Sequence, residues 1–224
     1  MDSEPTELDP DERGAAALER LSTFSDAVFA IAMTLLVLDI PKPGSDQDVA
    51  TFLTTIDGKF VAFFISFWVI GLFWLGHHRL MRYMHRYDQG VLMLNLVLLF
   101  CISFIPYPSA LMGDRADDVD TVVFYALAIA VAGFASGLLS WYVVLRRGYT
   151  HPVPRPIGWY YVSRSWLVSA VFLVSIPVAI WIGPSAALLI WPVSFVLQPL
   201  GKVLAEHQAD GAASSEKSDI GEPS

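Results

Sequence analysis

Six long apolar runs alternate with short polar stretches along the chain: residues 20–40, 60–78, 90–110, 121–145, 165–182 and 185–201. Each is near the roughly 20 residues needed to cross a bilayer as a helix. The last two need separating. No charged residue lies between Arg164 and Lys202, so that stretch reads as one long helix or two short ones. Gly183-Pro184 near its middle predicts a tight hairpin, because proline removes a donor and clashes with the preceding turn. Pro177, Pro192 and Pro199 make both halves irregular.

The first run, "FSDAVFAIAMTLLVLDI", carries an acid inside its first turns. At 100° per residue Ile31, Leu35 and Leu38 fall within about 60° of one another. Phe24 and Ala27 extend that stripe and Thr34 lies on its edge. Asp26 points about 140° away. Stripe and acid therefore meet different surroundings. If alternate runs cross in opposite directions, Asp26 lies at the depth of Trp74, His77 and His78, which close the second run as "FWLGHHRL". Asn95 and Arg164 open the third and fifth runs on the same side. An intramembrane acid is costly and is satisfied by such partners. The first reading of Asp26 is a packing clamp, with a proton relay or a direct ion ligand as alternatives. His77 and His78 are poor joint metal ligands, since adjacent helical residues point about 100° apart.

Composition agrees with a membrane protein. The 224 residues are 54% hydrophobic and 16% charged, with a mean hydropathy of +0.52. Soluble domains average about 25% charged residues. The single cysteine, Cys101, has no intrachain partner and sits in an apolar run. The first 19 residues have neither a basic n-region nor an apolar h-region, so no signal peptide is expected there.

Basic residues set the expected orientation. Placing both tails and the second and fourth loops on the cytoplasmic side gathers 11 of the 14 Lys and Arg there, leaving Lys42, Lys59 and Arg115 outside. The outer face then carries Asp39, Asp46, Asp48, Asp57, Asp114, Asp117, Asp118 and Asp120. That excess either attracts cations or simply reflects the exclusion of bases. Trp159, Tyr160 and Tyr161 fit an interfacial belt. "GFASG", from Gly133 to Gly137, allows close helix packing, expected within the chain. The basic loop "RLMRYMHRYD" suits headgroup contacts. No nucleophile with a base, no Walker loop and no dinucleotide fingerprint is present, so no enzyme is expected.

The chain therefore divides into an acidic cytoplasmic tail (1–19), a six-helix transmembrane unit (20–202) and a polar cytoplasmic tail (203–224), the latter expected to be disordered. The expected class is an all-α integral membrane protein, multi-pass in the cell membrane.

Recognition goes further. "RLSTFSDAVFAIAMTLLVLDI", with its Arg-then-Phe-Ser-Asp motif, resembles the first helix of the bacterial branch of the transmembrane-protein-175 family. "FWLGHHRL" and "NLVLLFCISFIPYPSALMG" are similar to its second and third helices. The resemblance covers all six spans. It implies a potassium-permeable, leak-type cation channel without a TVGYG filter. Four copies of the first helix would line one pore in a homotetramer within membrane lipids. It implies a constriction at Ile31, Leu35 and Leu38, with Thr34 beside it. It implies a supporting polar network of Arg20, Ser25, Asp26, Trp74 and His77, with His78 as a register alternative. No cofactor, metal or nucleic acid is implied, only permeant K+ and other monovalent cations. An ion-coupled secondary transporter or a proton-permeable protein are the alternatives. Against the transporter, no charge lies at mid-membrane and no internal repeat is apparent.

Overall fold

The computed structural model describes residues 10–145 and 155–192, and they are helical with short connections. The first helix, α1 (Pro10–Leu35), starts inside the expected tail, ten residues before the expected boundary at 20. It tightens into a 3-10 turn at Leu36–Asp39. A short α2 (Val49–Thr55) then lies in the first connection, which the apolar pattern alone does not reveal. Asp48 caps it by accepting from the Thr51 N–H at 3.0 Å, satisfying a donor that a helix start otherwise leaves open. The second long helix, α3, covers Asp57–Tyr83.

The third apolar run is two helices rather than one. It forms α4 (Gln89–Phe104) and α5 (Pro106–Asp114), broken at Ile105. Pro106 has no N–H to donate back into α4, so the ladder stops there and restarts with proline at the first position of α5. Asp88 caps α4 through the Val91 N–H at 2.9 Å. Asp118 does the same for α6 (Val119–Leu145) through the Thr121 N–H at 3.1 Å. After α6, α7 covers Arg155–Trp181. Gly183 then takes φ +127°, a left-handed value that suits glycine, and α8 follows over 184–192. Trp191 folds back onto α7. Its indole donates to Ser175 Oγ at 3.0 Å and its ring stacks on Phe172 at 5.2 Å. The hairpin expected at Gly183-Pro184 is formed.

Among the described residues five stretches are long and apolar enough to cross a membrane: Glu12–Asp39, Gly58–Tyr83, Gln89–Asp114, Val119–Val144 and Val162–Trp181. The chain is thus a multi-pass membrane protein. The sixth expected span begins in α8, and its remainder lies outside the described residues. So do the C-terminal tail, residues 1–9, and the side chains of Trp159, Tyr160 and Tyr161.

The core lies where α6 meets α7 and α4, and where α3 packs on α5. The GxxxG works inside the chain, as expected. A Cβ on Gly133 would run into Ser169, and one on Gly137 into the Trp166 ring, so glycine is what lets the two helices touch. Ser66 of α3 bonds both Ser109 of α5 at 2.7 Å and Tyr125 of α6 at 2.9 Å. Hydroxyls buried in an apolar interior must find each other, and these tie three helices at one level.

Candidate functional site

Two faces of α1 define the site. On one, Leu18, Leu21, Ser25, Phe29, Ala32 and Leu36 are buried against α3 and α4. On the other, Arg20, Phe24, Ala27, Ile31, Thr34, Leu35 and Leu38 are exposed along the whole helix. The spacing of three and four residues is the helical repeat, so this stripe is one straight face. Ile31, Leu35 and Leu38 are 58%, 42% and 75% exposed. The 3-10 turn keeps Leu38 outward while Leu36 goes into the core.

Thr34 sits in the stripe with its hydroxyl proton committed. Oγ1 donates to the Ile31 carbonyl at 2.9 Å. A hydroxyl so bonded retains its oxygen lone pairs as acceptors.

Behind the stripe lies a polar assembly in two parts. The first is fully enclosed. His77 of α3, Asn95 of α4 and Ser25 of α1 are 2%, 0% and 0% exposed. Asn95 joins the other two: its Oδ1 lies 2.8 Å from His77 Nε2, and its Nδ2 donates to Ser25 Oγ at 3.0 Å. Since Oδ1 only accepts, Nε2 carries the proton. Ser25 passes its own proton to the Leu21 carbonyl at 2.8 Å. His77 also packs on the Phe29 ring at 5.4 Å.

The second part is half-buried. The Trp74 indole donates to Asp26 Oδ1 at 2.8 Å, and His78 Nδ1 lies 4.0 Å from Asp26 Oδ2. The Trp74 and His78 rings are 5.5 Å apart. Asp26 is therefore held by Trp74 with His78 beside it, while His77 bonds Asn95 instead. Consecutive helical residues point about 100° apart, so one histidine faces α4 and the other α1.

Arg20 does not join this assembly. It is exposed on the same face as Phe24, as ideal helix angles place it. Asn95 was visible in sequence as an amide in an apolar run, yet its part as the joint between three helices depends on how they meet. Arg164 of α7 is buried too, and its Nη2 donates to the Leu72 carbonyl of α3 at 3.2 Å. At the opposite end of the subunit, Lys59 of α3 pairs with Asp114 of α5.

Residues 20–106 match the family described as the endosomal/lysosomal potassium channel TMEM175. A protein of Streptomyces collinus described as a potassium channel is 35% identical over 137 residues, covering 58% of this chain and 66% of that one. The human endosomal/lysosomal proton channel TMEM175 is 29% identical over 141 residues, covering 54% of this chain and 28% of that one. The chain thus spans just under two thirds of the bacterial relative's length and far less of the human one's. The crystal structure of a lysosomal potassium-selective channel TMEM175 homolog from Chamaesiphon minutus superposes with a TM-score of 0.68 at 24% identity, covering 85% of this chain and 98% of that one. At that identity the likeness is one of fold.

Proposed function

Because this chain belongs to the TMEM175 family, we propose that it is a leak-type, potassium-permeable cation channel whose ion path is the exposed stripe of α1, repeated by four copies around one axis. The observation that carries this reading is the split of α1 into a fixed face and an open face. Its buried side is fastened by Phe29, Leu36 and the Ser25–Asn95–His77 chain, so the rotation of the helix is set within the subunit. Its open side holds Ala27, Thr34 and aliphatic residues from Ile31 to Leu38. The outward faces of α3 and α4 instead present Phe64, Trp68 and Phe100. Bulky aromatics suit lipid; the α1 stripe carries one, Phe24, near its start, while its alanine and threonine let helices approach closely. Six spans per chain and cytoplasmic termini complete the reading, supported by the distribution of Lys and Arg.

In that assembly Ile31, Leu35 and Leu38 form successive aliphatic rings. Such rings offer an ion no ligands and act by diameter and dewetting. Thr34 supplies oxygen acceptors between them. This arrangement favours permeation with modest discrimination over the steep selectivity of stacked carbonyls. Asp26, Trp74, His77 and His78 stand behind the helix and position it. A channel performs no covalent chemistry, so no catalytic group is required.

Flux in liposomes tests the proposal. Purified protein should pass K+ down its gradient faster than Na+, without coupling to a second solute. A protein that passes only protons under a K+ gradient would support a proton path instead, and one that passes neither would remove the channel reading.

A further inference from the structure

A wide groove lies at the inner end of the subunit, away from the α1 stripe, between the start of α1 and the end of α3 with its connection to α4. It is an open groove of about 930 Å³. Its floor is apolar: Leu18, Met81 and Met84 are each buried. Arg82, His85 and Arg86 stand on one wall. Among the described residues Glu19 is the one acid on its lining, across on α1. Gly14 opens the far end, where an added Cβ would meet nothing within 4 Å.

The level of the groove follows from helix lengths. A rise of 1.5 Å per residue lets about 20 residues fill a hydrocarbon layer of about 30 Å. Counted back from Asp39, that layer ends near Arg20, and the first turns of α1 project beyond it. Counted inward from Lys59, the same length ends near Arg79, so residues 81–86 lie at the same height. Both walls therefore stand at the headgroup level. Phosphate oxygens are abundant there, and apolar chains begin just below.

We propose that this groove binds an anionic phospholipid, its phosphate held by Arg82 and Arg86 and the top of one acyl chain laid over Leu18, Met81 and Met84. Guanidinium groups match phosphate with paired, charge-assisted hydrogen bonds. The volume is far more than a phosphate ion fills and is of the size that takes a drug-sized amphiphile. The apolar floor beside the basic wall selects a ligand with both parts. Glu19 opposes a second negative charge, which favours a singly charged headgroup. The assignment relies on the cytoplasmic orientation only for which leaflet supplies the lipid.

Native mass spectrometry of the detergent-solubilised assembly tests it, since no membrane surface is then present to attract lipid diffusely. A short-chain phosphatidylglycerol should bind at least tenfold more tightly than the matching phosphatidylcholine. The Arg82→Gln/Arg86→Gln variant should weaken it at least about tenfold, the factor for losing one charge-assisted hydrogen bond. Gly14→Trp removes no charge and fills the open end, and should weaken it at least tenfold. Glu19→Gln should tighten it, and Arg79→Gln, outside the groove, should stay within threefold. Equal binding of the two lipids, or an undiminished Gly14→Trp, overturns the proposal. So does full competition by millimolar inorganic phosphate, which would make the ligand a soluble anion. Loss of assembly mass in Gly14→Trp overturns it as well, because a second copy would then fill the groove.

Discussion

Replacing Asn95 with leucine probes how α1 is held. Leucine has nearly the shape of asparagine, so the change removes hydrogen bonds without opening a cavity. Two bonds are lost, at 2.8 Å to His77 and 3.0 Å to Ser25, but they are not equal. Ser25 keeps its own bond to the Leu21 carbonyl and loses only an incoming donor. His77 loses the acceptor of its Nε2 proton while 2% exposed, so no water replaces it. An unmatched buried donor costs about 1–3 kcal/mol. Interhelical hydrogen bonds within membranes average about 0.6 and reach about 1.7 kcal/mol. Asn95→Leu should therefore destabilise the subunit by about 1.5 kcal/mol. His77→Leu leaves the Asn95 oxygen unmatched and should cost about as much. With both replaced, neither unmatched group remains. The double variant should then fall short of the sum by about 1 kcal/mol or more. SDS-driven unfolding in mixed micelles, followed by circular dichroism at one fixed protein concentration, gives all four corners of the cycle. Additivity within about 0.3 kcal/mol, the tolerance for independent sites, would refute the reasoning, and so would an Asn95→Leu cost below about 0.5 kcal/mol.

Three further outcomes are expected. In the proposed assembly Leu35→Ala would widen an aliphatic ring, so single-channel conductance should rise and the K+ over Na+ preference fall; if both stay unchanged, α1 does not line the path. Trp74→Phe keeps a ring beside His78 but removes the donor to Asp26, costing about 1 kcal/mol of stability while reversal potentials hold the ion preference, and a collapsed preference would put Asp26 in the ion path. Asp118 is held below the usual carboxylate range by the Thr121 hydroxyl and then the Thr121 N–H. Because its folded-state value is depressed, the stability it lends is present above the ordinary carboxylate value and is lost as pH falls through the lower folded value. Asp118→Asn can still cap but does not titrate, so melting curves between about pH 5 and 2 should show a weaker pH dependence in that variant.

What the sequence determined by itself is local and periodic. The two faces of α1 follow from 3.6 residues per turn, which needs no neighbour to exist, and Phe24, Ile31, Leu35 and Leu38 all stand on the exposed face as the angles place them. The turn at Gly183-Pro184 follows from what those two residues allow the backbone to do, and the close approach at Gly133 and Gly137 from their lack of side chains. What the tertiary structure decided is partnership. His77 and His78 are adjacent and chemically identical, yet one bonds Asn95 and the other stands by Asp26. Only the rotation of α3 relative to α1 and α4 assigns them. The start of α1 at Pro10, the break at Pro106 and the short α2 also escaped the apolar pattern, because hydropathy marks where a helix can be buried and not where its hydrogen-bond ladder starts or stops. Backbone periodicity is written in each residue's own geometry. The meeting of polar groups depends on how whole helices turn toward one another, and that is settled only when the apolar faces have packed.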